Sequence, residues 1–313
     1  MTTLQTVIAA CIESGTLLIA FLALVIVPFV IWTLSRLSLP LLHEIGNDRR
    51  RALFSGLLAI APGASFTVAS VVVIARAIRA GCLEMPGGRV VIAVVALLLA
   101  LAFMRAIVHA WKRIVEVDVL TAASVPGAPR LAALTHVGSS VPVREIVADE
   151  PLIFVAGSFR PIIYVSSGAL ARLSDAELSA ALAHERAHAR YGDQILMSAL
   201  LFCTDLVPLN VDPLTELYRD AREFAADHAA IATADPLDLA SAILHVVSPR
   251  RNRVVAALAD ACVKARLSWL LNGADASNAA FPRFLNYLVI AQLALLAALA
   301  TAAIVLPACR IVV

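Results

Sequence analysis

The chain has few charged residues for its length. Only 15% of its 313 residues are Asp, Glu, Lys or Arg, while 61% are hydrophobic. The mean hydropathy is +0.87, far above the value typical of soluble proteins. This composition argues against an ordinary soluble domain and favours a membrane protein.

Other absences exclude particular classes of protein. Residues 1–14 contain no Lys or Arg, so the basic region that begins a cleavable signal peptide is missing. The five cysteines follow no metal-binding or redox spacing. The sequence contains no internal repeat and no low-complexity tract.

Long apolar segments are abundant instead. Each one reaches the ~20 residues that a helix needs to cross a bilayer. We therefore predict four transmembrane helices, at approximately Gly15–Leu37, Leu53–Ile78, Val90–Trp111 and Phe284–Pro307.

The distribution of basic residues predicts the orientation. The N-terminus has none, whereas the first loop holds Arg36 and Arg49–Arg51, and the third segment ends in Lys112 and Arg113. Because basic loops stay in the cytoplasm, we expect a multi-pass protein of the plasma membrane with both termini outside. The predicted division is a three-helix membrane region at 1–115, a cytoplasmic domain at 116–282, and a fourth helix with a short tail at 283–313.

This orientation separates the cysteines into two groups. Cys203 and Cys262 fall in the cytoplasmic domain and should be reduced. Cys11, Cys82 and Cys309 lie near the outer face, where a disulfide between two of them remains an open alternative.

The cytoplasmic domain begins with signs of a small sheet. Ala123–Arg130 contains two prolines and a glycine and is interpreted as a linker. Apolar runs at Arg144–Val147, Leu152–Val155 and Ile162–Val165 predict strands, and Gly157–Arg160 should turn the last two into a hairpin. A strand beside an active helix can hold an extended substrate, although these strands could equally serve packing alone.

The run HERAH, residues 184–188, carries the strongest chemical signal. His184 and His188 are four residues apart, so a helix presents both imidazoles on one face to a single metal ion. Glu185 can reach a metal-bound water without ligating the metal. This HExxH arrangement is that of zinc-dependent hydrolases of the zincin class. The expected reaction is peptide hydrolysis at one zinc ion per chain, with Glu185 as general base.

The surrounding sequence predicts two helices that complete the site. Ser174 with Glu177 forms a capping box, and Gly192 is a suitable stop. A second helix should begin at Asp212-Pro213 and reach about Thr233. On that helix Glu223 and Asp227 share a face, so we expect Glu223 to be the third zinc ligand. Such a third glutamate defines a gluzincin.

Carboxylates and further histidines provide candidates for supporting roles. Asp227 is expected to accept the free ring N–H of a zinc-bound histidine, and Asp193 is a second candidate for that role. His228 and His245 are candidates for stabilising the oxyanion or contacting substrate. His43, His109 and His136 have no partner pattern and are interpreted as structural.

These motifs resemble those of the BlaR/MecR-type integral membrane zinc metallopeptidases, the antirepressor family. The likeness covers Gly157–Asp193, the run EFAAD at Glu223–Asp227, and ARLSWLL at Ala265–Leu271. The resemblance implies zinc ligands His184, His188 and Glu223, with Glu185 as base. Ala226 replaces the cysteine frequent in that family and, with Ala234–Leu244, is similar to the HtpX and CAAX-protease group.

The fold class implied is mainly α and membrane-integral, with four transmembrane helices and a cytoplasmic α+β gluzincin domain. The expected substrate is a cytoplasmic protein such as a transcriptional repressor, or the chain itself, cleaved in signal transduction. The expected surroundings are the lipid bilayer, with no direct nucleic-acid contact. Two alternatives stay open: an HtpX-like protease for quality control of membrane proteins, and a non-enzymatic signal transducer. The oligomeric state is not predicted.

Overall fold

The computed structural model describes residues 22–79, 88–127, 129–134, 141–207, 211–246, 253–272 and 291. These residues form a mainly helical protein with one small sheet. Among the described residues, two helices are long and apolar enough to cross a membrane, over Asp48–Ala75 and Val95–Ala123. They correspond to the second and third predicted segments.

The first element of the described residues is a π-helical turn at Leu22–Ile26. Four helices follow: α1 (Val27–Leu37), α2 (Leu39–His43), α3 (Asp48–Arg79) and α4 (Gly88–Ala123). The first predicted segment is therefore described only from Leu22, as a shorter apolar helix. Of the fourth predicted segment, Phe284–Pro307, only residue 291 lies within the described residues.

The two long helices differ in their surroundings. Half of the apolar window of α3 is buried by other helices, whereas only 11% of the window of α4 is buried. Leu97, Leu101 and Trp111 of α4 are consequently exposed. An apolar helix face of this kind suits contact with lipid. Helix α4 also continues twelve residues beyond Trp111, so the predicted domain boundary at 115/116 falls inside it.

The sheet has four strands, β1 (Val125–Pro126), β2 (Val143–Ile146), β3 (Ile153–Ala156) and β4 (Ile162–Ser166), in the order β1-β2-β4-β3. The three predicted strands are confirmed, and β3 and β4 pair antiparallel as the expected hairpin. Gly157 adopts φ +94° in the connecting turn, where an added Cβ would lie 2.5 Å from the Arg160 carbonyl oxygen. The predicted linker differs: it contains the end of α4, strand β1 and the start of α5 (Pro129–Leu134).

In the part of the chain that the structure describes, six helices follow β4: α6 (Ser167–Arg172), α7 (Asp175–Tyr191), α8 (Asp193–Leu206), α9 (Asp212–Ala230), α10 (Pro236–Val246) and α11 (Arg253–Asn272). Helix α7 begins at the predicted capping box of Ser174 and Glu177 and ends at Gly192, whose φ is +71°. Both predictions are confirmed. Helix α9 begins at Asp212 as predicted but ends at Ala230, three residues earlier than expected.

Two hydrophobic clusters hold α7 and α9 in place. Leu178 and Leu182 of α7 are fully buried against Ile163 and Val165 of the sheet. Leu214 and Tyr218 of α9 belong to a separate cluster that includes Leu58 of α3. The helix that carries HERAH thus rests on the sheet, and the helix that carries Glu223 rests on a membrane-capable helix.

Candidate metal centre

His184 and His188 lie one turn apart on α7 and point at the same place. Their Nε2 atoms are 3.0 Å apart, and the two rings meet edge to face. Both residues are buried, at 7% and 3% exposure. Two imidazole nitrogens this close, with no apolar atom between them, form half of a metal-ligand set.

Glu223 of α9 lies close enough to both histidines to be a third ligand. Its Oε2 lies 3.4 Å from His184 Nε2, and its Oε1 lies 3.5 Å from His188 Nε2. Tetrahedral zinc bonds of about 2.0–2.1 Å place ligand atoms roughly 3.3–3.4 Å apart. The three residues form a group whose ligand atoms lie within 4.8 Å of one another, so they fit a metal ion.

Each histidine has its own carboxylate partner behind it. His184 Nδ1 lies 2.8 Å from Asp227 Oδ1, and His188 Nδ1 lies 2.6 Å from Asp193 Oδ2. The hydrogen bond with Asp193 holds a proton on His188 Nδ1 and leaves its Nε2 for a metal. The Asp227 carboxylate faces His184 Nδ1 at hydrogen-bond distance, although at an angle that is poor for a hydrogen bond. Asp193 also begins α8, directly after Gly192, so the helix stop places it beside His188.

Arg266 of α11 completes the site, and sequence reasoning assigned it no role. Its Nε and Nη2 donate to the two oxygens of Asp227 at 2.7 and 2.8 Å, and its Nη1 donates to Glu223 Oε2 at 3.0 Å. The available signal was a single arginine in the largely apolar run ARLSWLL, which falls on the buried side of α11. Its partners, Asp227 and Glu223, are too distant in sequence for residue spacing to reveal them.

The formal charges of the site leave room for a divalent cation. Four carboxylates (Glu185, Asp193, Glu223 and Asp227) surround the histidines, and two guanidinium groups offset them, those of Arg222 and Arg266. Two negative charges remain if both histidines are neutral. A buried excess of this kind is costly unless a cation compensates it.

The pKa values follow from burial and these contacts. Burial opposes ionisation of Glu223, but the hydrogen bonds with His184 and His188 outweigh it and lower its pKa well below the usual value. Burial likewise opposes protonation of His188, but its contacts with Asp193 and Glu223 raise its pKa to about 9. Without a metal, protonated histidines therefore supply the positive charge that the carboxylates require. Metal binding should release these protons.

Glu185 lies beside the metal-ligand atoms but faces the sheet. Its Oε2 accepts a hydrogen bond from the backbone N–H of Val155 at 2.9 Å. Burial raises the pKa of its carboxyl group, which makes it a better proton acceptor than an exposed glutamate. Val155 belongs to β3, one of the two edge strands of the sheet, so this edge lies next to the candidate reaction centre.

A cavity of about 180 Å³ opens next to Glu185 and Glu223. Its walls come from β3, α7, α9, α10 and α11, and the residues from α10 are all apolar. An open apolar cavity with a few polar groups at one end suits a peptide side chain next to a reacting bond. The lining residues are Ile153, Ala181, His184, Glu185, Glu223, Leu239, Ala242, Ile243, Val246 and Arg266.

His228 and His245 lie elsewhere and do not line this cavity. His228 Nδ1 lies 3.2 Å from Asp48 Oδ2 at the start of α3, and its ring packs on Trp269. His245 Nδ1 lies 3.2 Å from Glu177 Oε1 near the start of α7. Their predicted contact with the oxyanion or the substrate stays a prediction.

The other histidines and cysteines considered in the sequence lie away from the metal centre or outside the described residues. His109 Nδ1 lies 3.0 Å from Asp205 Oδ1, a contact between α4 and α8. Cys203 and Cys262 are free cysteines. The positions of Cys11, Cys82, Cys309 and His136 lie outside the described residues.

Comparison with known protein families gives one match. The family model described as BlaR1 peptidase M56 matches residues 87–269, which include α4, the sheet and every side chain of the metal centre. No curated protein and no solved structure matches the chain.

Proposed function

We propose that this chain, which belongs to the BlaR1 peptidase M56 family, is a membrane-embedded zinc endopeptidase. Family membership makes it a metallopeptidase, and the identity of the metal and the cleavage of internal peptide bonds are our inference. The observation that supports it most is the convergence of the two Nε2 atoms and the Glu223 carboxylate within 3.5 Å of one another. Two imidazoles and one carboxylate are a donor set that catalytic zinc prefers.

Zinc held by His184, His188 and Glu223, one ion per chain, would supply Lewis acidity at the scissile carbonyl. The protein supplies the proton transfers. Glu185 accepts a proton from the attacking water and later passes it to the leaving amine. Its raised pKa suits both steps, because the group must take the proton and then return it.

The other buried groups keep the site in one geometry. Asp227 and Asp193 hold the protons of His184 and His188 on Nδ1, so both Nε2 atoms stay free for the metal. Arg266 holds Asp227 through two parallel hydrogen bonds and also contacts Glu223. A planar guanidinium fixes both carboxylates at once, which a lysine could not do.

The substrate we propose is a protein whose chain enters extended, beside β3. The N–H of Val155 now donates to Glu185, and Gln194 Nε2 donates to the Val155 carbonyl at 3.3 Å. Both backbone groups thus face α7 and the metal centre, in the direction from which an added strand would approach. We infer a cytoplasmic protein, such as a transcriptional repressor, or the chain itself as substrate.

The proposed setting is the plasma membrane, with residues 116–282 in the cytoplasm and both termini outside. The two membrane-capable helices and the family support a membrane protein. The basic residues of the first loop support this orientation.

The test compares wild type with Glu185→Gln in detergent, at equal zinc content. Unfolded casein and the chain itself serve as substrates, and new N-termini are read by mass spectrometry. We expect the variant to keep its zinc and to lose about a hundred- to ten-thousand-fold in cleavage rate, the usual contribution of a general base. Asp118→Asn, an exposed carboxylate on α4, is the matched control and should cleave normally.

The cleavage pattern separates the competing functions. A single site in the chain or in one repressor supports signalling, whereas many sites in casein support quality control of membrane proteins. Equal cleavage by wild type and Glu185→Gln would contradict the proposed role of Glu185. Normal signalling in cells with no cleavage of any substrate would favour a non-enzymatic transducer.

A further inference from the structure

Two consecutive residues at the start of α3 contact both helices that carry the metal ligands. Asp48 Oδ2 lies 3.2 Å from His228 Nδ1, and His228 directly follows Asp227 on α9. The Arg49 guanidinium lies 4.3 Å from the ring centre of Tyr191, the last residue of α7. The first turn of a membrane-capable helix therefore lies between the helix of His188 and the helix of Glu223.

The side chain of Asp48 is held in place by contacts other than the one with His228. Arg51, three residues later, forms an ion pair with it at 3.0 Å, and the Asp48 side chain is only 11% exposed. The Arg51 side chain also donates to the carbonyl of Ile45. The Asp48 carboxylate thus has a defined position at the beginning of α3. Its contact with His228 therefore ties α9 to the helix and not only to a mobile side chain.

His228 also contacts a third helix, α11. Its ring lies 4.3 Å from the ring of Trp269 on α11, and Phe224 packs on the same tryptophan from one turn earlier. Trp269 is three residues after Arg266, on the same side of α11. The side chain that meets Asp48 on one side therefore packs, on the other, against the helix segment that positions Arg266.

The geometry around α3 makes a shift there difficult to absorb. A Cβ at Gly56 would lie 2.9 Å from Leu196 Cδ2 and 3.2 Å from Tyr218 Cδ2, so α3 packs closely on α8 and α9. Helix α3 has 32 residues, and at 1.5 Å per residue it is about 48 Å long. It is long enough to cross the bilayer and still reach the metal centre.

We propose that Asp48 and His228 are positioning residues that couple α3 to the metal site, by holding α9 and Arg266 of α11 in register. The proposal rests on the proposed zinc centre and adds an element that acts on it. A displacement of α3 in the membrane would alter the alignment of Glu223 with the two histidines. The site is in this way accessible to a signal that acts on the membrane helix.

The experiment measures metal binding by the detergent-solubilised full chain, with Co²⁺ as a spectroscopic substitute for zinc. The variants are Asp48→Leu, His228→Phe and the double variant. Leu is close to Asp in shape and has no side-chain oxygen, and Phe retains a ring against Trp269, so both changes remove the polar contact and largely spare the packing. Asp48→Glu is the conservative variant. Exposed residues of the same types give the controls, Asp118→Leu and His43→Phe.

We expect both single variants to bind Co²⁺ about three- to tenfold more weakly, since direct ligand partners typically cost 10–100-fold and these residues act one step further out. Their Co²⁺ visible spectra should change in the same way. The loss in the double variant should be smaller than the sum of the two single losses, because both substitutions remove the same contact. The sum is not reached even though Asp48 also pairs with Arg51 and His228 Nδ1 also contacts the Phe224 carbonyl oxygen. Asp48→Glu should recover most of the affinity, and the controls should match wild type.

Variants that bind Co²⁺ with wild-type affinity and spectrum would overturn the coupling while leaving the zinc centre intact. So would fully additive losses in the double variant. A wild-type chain that binds neither Co²⁺ nor zinc would instead contradict the proposed function, so the two failures can be told apart.

Discussion

Arg266 forms two parallel hydrogen bonds with Asp227, from Nε and Nη2 to the two carboxylate oxygens at 2.7 and 2.8 Å. Asp227 is fully buried, and Arg266 is 8% exposed. Charged groups at such depth are found where they are paired, and here the pair also stands directly behind His184. The ion pair joins α9 to α11 and holds one end of the metal centre.

The first prediction concerns this pair. Arg266→Met removes the cation and leaves the fully buried Asp227 and the partly buried Glu223 without it, so the free energy of unfolding should fall by about 3 kcal/mol or more. Arg266→Lys keeps the charge but loses the bidentate geometry, and should lie between Met and wild type. Denaturant unfolding in detergent measures both, with the exposed Arg172→Met as control. An Arg266→Met variant as stable as wild type would contradict this role.

A second prediction concerns the carboxylates behind the histidines. Asp193→Asn and Asp227→Asn each remove the group that holds a histidine proton on Nδ1. Zinc affinity should fall by about 10–100-fold in each variant. Competition with a chromophoric chelator gives the dissociation constants. Asp175→Asn is the control, because the Asp175 side chain is 70% exposed, and it should leave the zinc affinity unchanged. A wild-type affinity in Asp193→Asn would show that the contact with His188 does not orient its ring.

The third prediction concerns pH and the start of α7. The hydrogen bond from Ser241, and then the backbone N–H of Ser174, lower the pKa of Glu177 from 4.5 to about 2. A lowered pKa in the folded state stabilises the protein above the unfolded value and loses this effect as pH falls towards 2. The stability difference between wild type and Glu177→Gln should therefore be larger at pH 5 than at pH 2 and should shrink between pH 4.5 and 2. A difference independent of pH would show that the carboxylate charge does not contribute.

A fourth prediction concerns topology. A cysteine introduced at Ala123, an exposed position at the end of α4, should react with a membrane-impermeant maleimide only after the cells are permeabilised. The parent chain, labelled in parallel, accounts for the five native cysteines. Labelling of Ala123→Cys in intact cells would place this segment outside and would reverse the proposed orientation.

Local signals in the sequence were sufficient for the helix that carries HERAH. The Ser174–Glu177 capping box and the positive φ at Gly192 are decided by neighbouring residues, so both ends of α7 could be predicted. The hairpin of β3 and β4 followed from its turn in the same way. The short strand β1 could not be foreseen, because a two-residue strand depends on its partner β2 and not on its own residues.

Long-range contacts limited what could be predicted of the site. Arg266 lies 39 residues from Asp227 along the chain, and no spacing rule connects them. His228 illustrates the same limit: its position next to Asp227 suggested a contact with the oxyanion or the substrate, and nothing in the sequence pointed to Asp48, the distant residue that its side chain contacts. Residue spacing gives the face of one helix, while the partner of that face depends on the packing of the whole fold.

The measurement that tests the central claim most directly is X-ray absorption spectroscopy of the zinc-loaded chain, together with its metal content. We predict one zinc per chain with two imidazole nitrogens and carboxylate oxygen at about 2.0–2.2 Å. Glu223→Ala should lose the carboxylate and bind zinc more weakly, while Glu185→Gln should keep both the spectrum and the metal. A wild-type chain without zinc, or a spectrum unchanged in Glu223→Ala, would contradict the account.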